Sequence, residues 1–163
     1  MMQHVHIVVT WKGDLLGRLA RRFGLTWTHA ALRYVRDESQ GARIIEAAAC
    51  AIRERAWEEF IAGVREWKTF AVRDGLSEIQ MREIVAYAWG NVGKPYSYWW
   101  MLRIAWRLIR QRVGIGVLTY PGHVCSSLVY DAFRYAGVNL LPGHSSPLVT
   151  PDEVAGSPLL EER

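Results

Sequence analysis

Cys125 stands at the start of a predicted helix, where a thiol is most easily ionised. The segment GHVCSSLVYDAFRYAGVNL carries apolar residues at three- and four-residue steps between Gly122 and Gly137, which predicts one buried helical face. Gly137 fits the position just past the last turn, where a left-handed backbone costs little. The unpaired N–H groups and the dipole at the helix start favour the thiolate, the form that attacks carbonyl carbon. The alternative is a buried thiol that only fills space.

His29 is the predicted general base for this thiol. A thiol nucleophile needs a base, most often histidine, and the base needs a third group that fixes its tautomer. His29 opens the predicted strand THAALRYV, beside small residues that leave room for its ring. His123 lies two residues from Cys125, too close for the two side chains to meet within one segment, and His144 is expected to be solvated in a Pro/Gly loop. The alternative for His29 is a half-buried histidine with satisfied hydrogen bonds.

Glu46 is the predicted third member of the site. It is the only charged residue of the apolar run IIEAAA, and burying an unpaired carboxylate is costly. If the two strands form an antiparallel hairpin, Glu46 lies opposite or diagonal to His29 and accepts its second N–H. The alternative is a carboxylate at a strand edge that points into water.

A second histidine pair offers a metal site that the sequence does not complete. His4 and His6 alternate on the predicted first strand, so their rings share one face. This H-x-H pair lacks a third and a fourth ligand at useful spacing. We therefore predict neither a metal nor a cofactor.

The elements that position these residues predict one α+β domain spanning residues 1–163. Strands are predicted over 4–11, 28–35, 42–49 and 64–72, and helices over 15–23, within 76–93, over 99–114 and over 125–136. Ser77 is the predicted cap of the second helix. The residues predicted to face inward on the first two helices are Leu15, Leu16, Leu19, Phe23, Ile79, Ile84, Val85 and Ala88.

Composition excludes several classes of protein. Half of the 163 residues are hydrophobic and eight are tryptophan, so disorder is not expected. The net charge is +4, and the arginines are scattered along the chain. Because the sequence has no basic run interleaved with stacking aromatics, we do not expect nucleic-acid binding. The N-terminus lacks the features of a secretory signal, and no apolar stretch reaches the length of a membrane span. We expect a cytoplasmic protein whose two cysteines, Cys50 and Cys125, are reduced.

The segment 97–112 is rich in both tryptophan and arginine. Trp99, Trp100 and Trp106 alternate with basic residues in the pattern of an amphipathic helix. One interpretation is a core helix with its arginines in water. The other is a helix that lies in a membrane interface or forms a wall for an acyl chain.

These motifs together resemble a known group of enzymes. THAAL around His29, IIEA around Glu46, GKPYSYW around Tyr96, CSSLVYDAFRYAGV from Cys125, and TPDEVAGSP near the C-terminus are similar to the circularly permuted NlpC superfamily. These are papain-fold cysteine hydrolases related to lecithin:retinol acyltransferase. In ordinary papain-like enzymes the cysteine precedes the histidine, whereas here His29 precedes Cys125, which is the permuted order.

The resemblance implies a papain-like fold and a role for each matching residue. Cys125 would be the nucleophile, His29 its base and Glu46 the group that orients the imidazole. Tyr96 would contact the substrate or the oxyanion, and the backbone N–H of Cys125 would be a further oxyanion donor. The alternative for Tyr96 is an aromatic residue packed over Pro95. One departure is the missing export signal, which members of the cell-wall type generally carry. A cell-wall substrate would therefore require another route of export, for example phage lysis.

The predicted function is thiol-dependent hydrolysis of an amide bond, either peptide-like or in an N-acyl amino acid. The expected partner is a small-molecule or peptide-like substrate, with or without an acyl chain, and the oligomeric state is left open. A lipid acyltransferase or thioesterase of the same fold is the alternative enzyme. Peripheral contact with a membrane is the partner expected for that alternative. A binding module that keeps the fold without the chemistry is the alternative outside enzymes.

Overall fold

The computed structural model describes residues 2–22, 24–37, 39, 41–48, 51–95, 125–144 and 149–163. Several sequence predictions lie outside these residues and stay predictions. They concern Cys50, Tyr96, His123, the helix over 97–112, Phe23 and the side chains of Leu15, Leu16 and Leu19.

The strands of the described residues form one antiparallel sheet. In chain order they are β1 (His4–Trp11), β2 (His29–Val35), β3 (Arg43–Ala48), β4 (Ala51–Ala56), β5 (Glu66–Val72) and β6 (Leu160–Glu162). Their order across the sheet is β4-β3-β2-β1-β5-β6. The predicted α+β class is confirmed, and so is the hairpin of β2 and β3.

The helices of the described residues lie between these strands in the chain. They are α1 (Leu15–Arg22), α2 (Trp57–Ile61), α3 (Glu78–Trp89), α4 (Cys125–Tyr135) and α5 (Pro151–Ala155). Within the part of the chain that the structure describes, no helix combines the length and the apolar character needed to cross a bilayer. The helix predicted at Cys125 is present, and Gly137 adopts the left-handed conformation expected after its end.

The sheet buries its two faces against different layers. The larger core packs residues such as Ile7, Leu32 and Ile45 against the buried sides of α3 and α4. The smaller core is made by Val8, Ala31, Ile44 and Phe60 under the short helix α2. Because side chains alternate along a strand, His29 and Glu46 lie on the face that α2 covers.

Helix α3 shows both a correct and an incorrect prediction. Ser77 caps it, since its hydroxyl accepts from the N–H of Gln80 while the Gln80 side chain accepts from the N–H of Ser77. Ile84 and Ala88 are buried as predicted, but the prediction for Ile79 is wrong, because this residue is 70% exposed. Nine residues separate Ile79 from Ala88, and at 3.6 residues per turn this places them on opposite sides of the helix.

Candidate active site

His29 and Glu46 form a buried hydrogen bond across the β2–β3 hairpin. The distance between His29 Nε2 and Glu46 Oε2 is 2.7 Å, and the Glu46 side chain is fully buried. Continuing the register of Leu32 opposite Ile45 places Glu46 opposite Ala31, so that Glu46 is diagonal to His29. The sequence predicts that Glu46 lies either opposite or diagonal to His29, and the diagonal position is the one observed.

The thiol of Cys125 lies where β2 and β3 separate. Their strand pairing ends at Leu32 and Ile45, although β2 continues to His29. The N–H of Ala30 is therefore available to Cys125, and it donates to the sulfur together with the N–H of Ser126. The first turn of α4 thus brings its thiol to the end of the sheet where His29 stands.

Cys125 and His29 are joined by a hydrogen bond between their side chains. Since Nε2 of His29 is bonded to Glu46, Nδ1 is the ring nitrogen left for the thiol. Cys125 is a free, buried cysteine. The structure therefore brings together the three residues for which the sequence predicts a catalytic role.

Electrostatics favour an ion pair of thiolate and imidazolium. Burial raises the pKa of Cys125, but the charge of His29 and the hydrogen bonds to the sulfur outweigh this and hold it below its usual value. Burial lowers the pKa of His29, yet the charges and hydrogen bonds of Cys125 and Glu46 raise it to about 9. At neutral pH the pair is therefore charged, which is the nucleophilic state of a cysteine.

Two arginines of β4 complete the surroundings of Glu46. The Nε and Nη2 of Arg53 donate to Oε1 of Glu46 at 3.1 and 3.0 Å, and Nη2 of Arg55 lies 2.7 Å from the same oxygen. Burial raises the pKa of Glu46, but His29 and the two arginines lower it to about 2. The carboxylate is thus ionised although it is buried, because three cationic groups satisfy it.

Sequence analysis missed β4, α2, α5 and β6, and the first three contribute to the site. The segment AIRERA reads as a polar run, and a helix of five residues is too short to show a period. Phe60 of α2 lies against the His29 ring, with 6.2 Å between ring centroids. The run of alternating charges after the IIEAAA strand was the one available signal for β4.

Asp152 of α5 fixes the segment that leads into β2. Its carboxylate accepts hydrogen bonds from the N–H groups of Thr26 at 3.0 Å and Trp27 at 3.2 Å. Thr150 caps the same helix, with a reciprocal bond to Glu153. The TPDEV motif is predicted from the sequence to lie in a C-terminal tail. In the structure its Asp152 fixes the segment that precedes His29.

Replacing Asp152 with alanine is expected to lower the free energy of unfolding by about 1–2 kcal/mol. Two backbone N–H groups would lose a charged acceptor, and the site is partly exposed, so water replaces part of the loss. Urea denaturation followed by tryptophan fluorescence measures the change. Asp74→Ala, which removes the same charge from an exposed turn, is the control and should change stability by less than about 0.5 kcal/mol. Equal effects of the two substitutions would contradict the role of Asp152.

The other histidines lie apart from this cluster. The rings of His4 and His6 stack with centroids 5.8 Å apart, which confirms that they share a face. His6 Nδ1 accepts from Arg33 at 3.1 Å, and burial with nearby cations lowers the pKa of His6 to about 4. His144 was predicted to be solvated, but it is half-buried, because its loop folds back so that Nε2 is screened from water.

Among the described residues, no group of three or more His, Cys, Asp and Glu side chains is arranged to hold a metal ion. The His4–His6 pair is also unfavourable for a cation because Arg33 occupies one ring nitrogen of His6.

The fold and the buried Cys–His–Glu cluster define an α+β protein with a candidate thiol nucleophile at a helix start. The sequence matches no family model and no curated protein. The fold is similar to that of a solved structure, the metalloprotein yiiX from Escherichia coli O157:H7, described as DUF1105. The TM-score is 0.73 at 16% sequence identity, covering 99% of this chain and 96% of that one. This likeness shows the fold and assigns no activity.

Proposed function

We propose that this chain is a cysteine hydrolase of the papain-like, permuted NlpC type that cleaves an amide bond. The observation that carries the proposal is the buried contact series from the Cys125 thiol through His29 to Glu46. A nucleophile, a base and an orienting acid in series are the parts that acyl transfer through a thioester needs.

The first half of the proposed reaction forms an acyl-enzyme. The Cys125 thiolate attacks the carbonyl carbon of the amide, and a carbon–sulfur bond forms. The His29 imidazolium then gives its proton to the amide nitrogen, the carbon–nitrogen bond breaks and the amine leaves. The backbone N–H at the start of α4 stabilises the charge on the carbonyl oxygen during this step.

The second half regenerates the enzyme. Neutral His29 takes a proton from water, whose oxygen attacks the thioester carbon. The carbon–sulfur bond breaks, a carboxylic acid is released and Cys125 returns to the thiolate. Glu46 holds the imidazole in one orientation throughout and stabilises its charged form. Transfer to a lipid or amine acceptor stays the alternative, since Tyr96 and the helix over 97–112 lie outside the described residues.

Iodoacetamide at pH 7 is expected to alkylate Cys125 well before Cys50. The field of His29 and two backbone N–H donors keep the thiol of Cys125 ionised at a pH where an ordinary thiol is about 1–3% thiolate. Mass spectrometry of proteolytic fragments after short exposures measures both cysteines in one sample.

Two variants show which cysteine is responsible for the rapid phase of alkylation. In Cys125→Ser the rapid phase of alkylation should disappear, whereas in Cys50→Ser it should persist. Equal alkylation rates at the two cysteines of the unmodified chain would overturn the activated thiol and, with it, the proposed hydrolase.

A further inference from the structure

The carboxylate of Glu46 is shared between His29 and two guanidinium groups. Its Oε2 is 2.7 Å from the imidazole, while its Oε1 accepts from Arg53 at 3.0 and 3.1 Å. Arg55 forms an ion pair with the same oxygen, with its Nη2 2.7 Å away. The imidazole and the two hydrogen bonds of Arg53 already occupy both oxygens of the carboxylate. Arg55 therefore adds a second positive charge rather than a further hydrogen bond.

Arg55 is more deeply buried than Arg53. Its side chain is 14% exposed, against 48% for Arg53, and its guanidinium lies over the Phe60 ring at 5.0 Å. Nη1 of Arg55 also donates to the backbone oxygen of Glu59 at 3.3 Å. Because Phe60 contacts His29 as well, one aromatic ring separates the guanidinium and the imidazole from solvent. Their charges therefore interact across a largely buried site, where screening by solvent is weak.

We propose that Arg55 acts through Glu46 as a positioning residue that makes His29 a stronger acid, so that its proton is released to the leaving amine. The inference rests on the proposed function and explains why Arg55 lies beside Glu46 in addition to Arg53. A lone carboxylate would bind the imidazolium proton too tightly for efficient transfer, since the best general acid gives up its proton near the working pH. Arg55 draws part of the carboxylate charge to itself and repels the imidazolium.

The groups that face His29 from each neighbouring element are few within the described chain. Cys125 comes from α4, Glu46 from β3, and Arg53 and Arg55 reach Glu46 from β4. Helix α2 presents Phe60, and the neighbour of His29 on β1 is the uncharged Thr10. Arg55 is thus the buried cation whose removal changes the field at His29 without removing a direct partner of its ring.

The test is the titration of His29, followed by NMR of the full-length protein labelled with ¹⁵N-histidine. In Arg55→Met the titration midpoint of His29 is expected to rise by roughly half a pH unit to one unit, because a like charge has been removed. Arg53 keeps the carboxylate in place through its two hydrogen bonds. Arg55→Gln, which keeps an N–H donor without the charge, should give the same rise and serves if the methionine variant does not fold.

Two controls separate charge from structure. Arg55→Lys restores the charge and should bring the midpoint back toward that of the unmodified protein. Arg43→Met breaks the comparable ion pair between Arg43 and Glu54 on the same two strands and should leave His29 unchanged. A midpoint that stays constant or falls in both neutral Arg55 variants overturns the inference. The titration needs no substrate, so its result stands apart from the alkylation test of the proposed function.

Discussion

In His29→Ala, alkylation of Cys125 at pH 7 is expected to slow by about 100-fold or more. Without the imidazolium, burial raises the pKa of the thiol and only the N–H groups of Ala30 and Ser126 still lower it, so the pKa returns toward the ordinary value of 9.0. A thiol with that pKa is about 1% ionised at pH 7, and only the ionised form reacts. Hydrolysis of any amide substrate should fall by a further factor, since the leaving amine loses its proton donor.

The control for this variant is His4→Ala, which removes an exposed histidine from the other end of the sheet. Circular dichroism and urea denaturation should show that both variants fold. If His29→Ala folds and its Cys125 still reacts at the rate of the unmodified protein, His29 has no part in activating the thiol.

Glu46→Gln is expected to lower the free energy of unfolding by about 3 kcal/mol at pH 7. The pKa of Glu46 is about 2 in the folded protein and 4.5 ordinarily, and each unit of difference corresponds to roughly 1.4 kcal/mol. Because the folded pKa is the lower one, this stabilisation is present above pH 4.5 and is lost as the pH falls toward 2. Arg55 would also remain buried without its carboxylate, which adds to the loss.

The measurement is urea denaturation at pH 7, 4.5 and 2.5. The unmodified protein should lose most of this contribution between the last two values, whereas Glu46→Gln should lack it at every pH. Glu54→Gln is the matched control, because Glu54 pairs with Arg43 on the neighbouring strand and is partly exposed. It should cost less than about 1 kcal/mol. If the stability of Glu46→Gln falls with acid as steeply as that of the unmodified protein, Glu46 is not the ionised, buried group described above.

The main contact of the site could be predicted from the sequence because each partner is unusual in its own segment. Glu46 interrupts an apolar strand, His29 opens another, and Cys125 begins a helix with a clear apolar period. The hairpin geometry then restricts Glu46 to two positions relative to His29.

The arginines and Phe60 could not be predicted in the same way. Arg53 and Arg55 have the sequence pattern of a solvated strand, and what brings both guanidinium groups to the site is the charge of Glu46 on the next strand. Helix α2 has five residues, so its buried Phe60 has no periodic context. The prediction for Ile79 was wrong for a different reason. Its hydrophobic side chain suggested burial, although its position on α3 places it on the side away from the core.

The order of the site residues along the chain has a consequence for protein synthesis. His29, Glu46 and the strands that join them are made early, while Cys125 follows after most of the chain. Bringing the thiol to the imidazole therefore closes a long loop, and the burial of α3 and α4 against the sheet must compensate its entropic cost. The growing chain carries an imidazole, an acid and their arginines without a nucleophile. Reactivity then emerges only once the ribosome has delivered the second half, and the rise of thiol reactivity would follow completion of the fold.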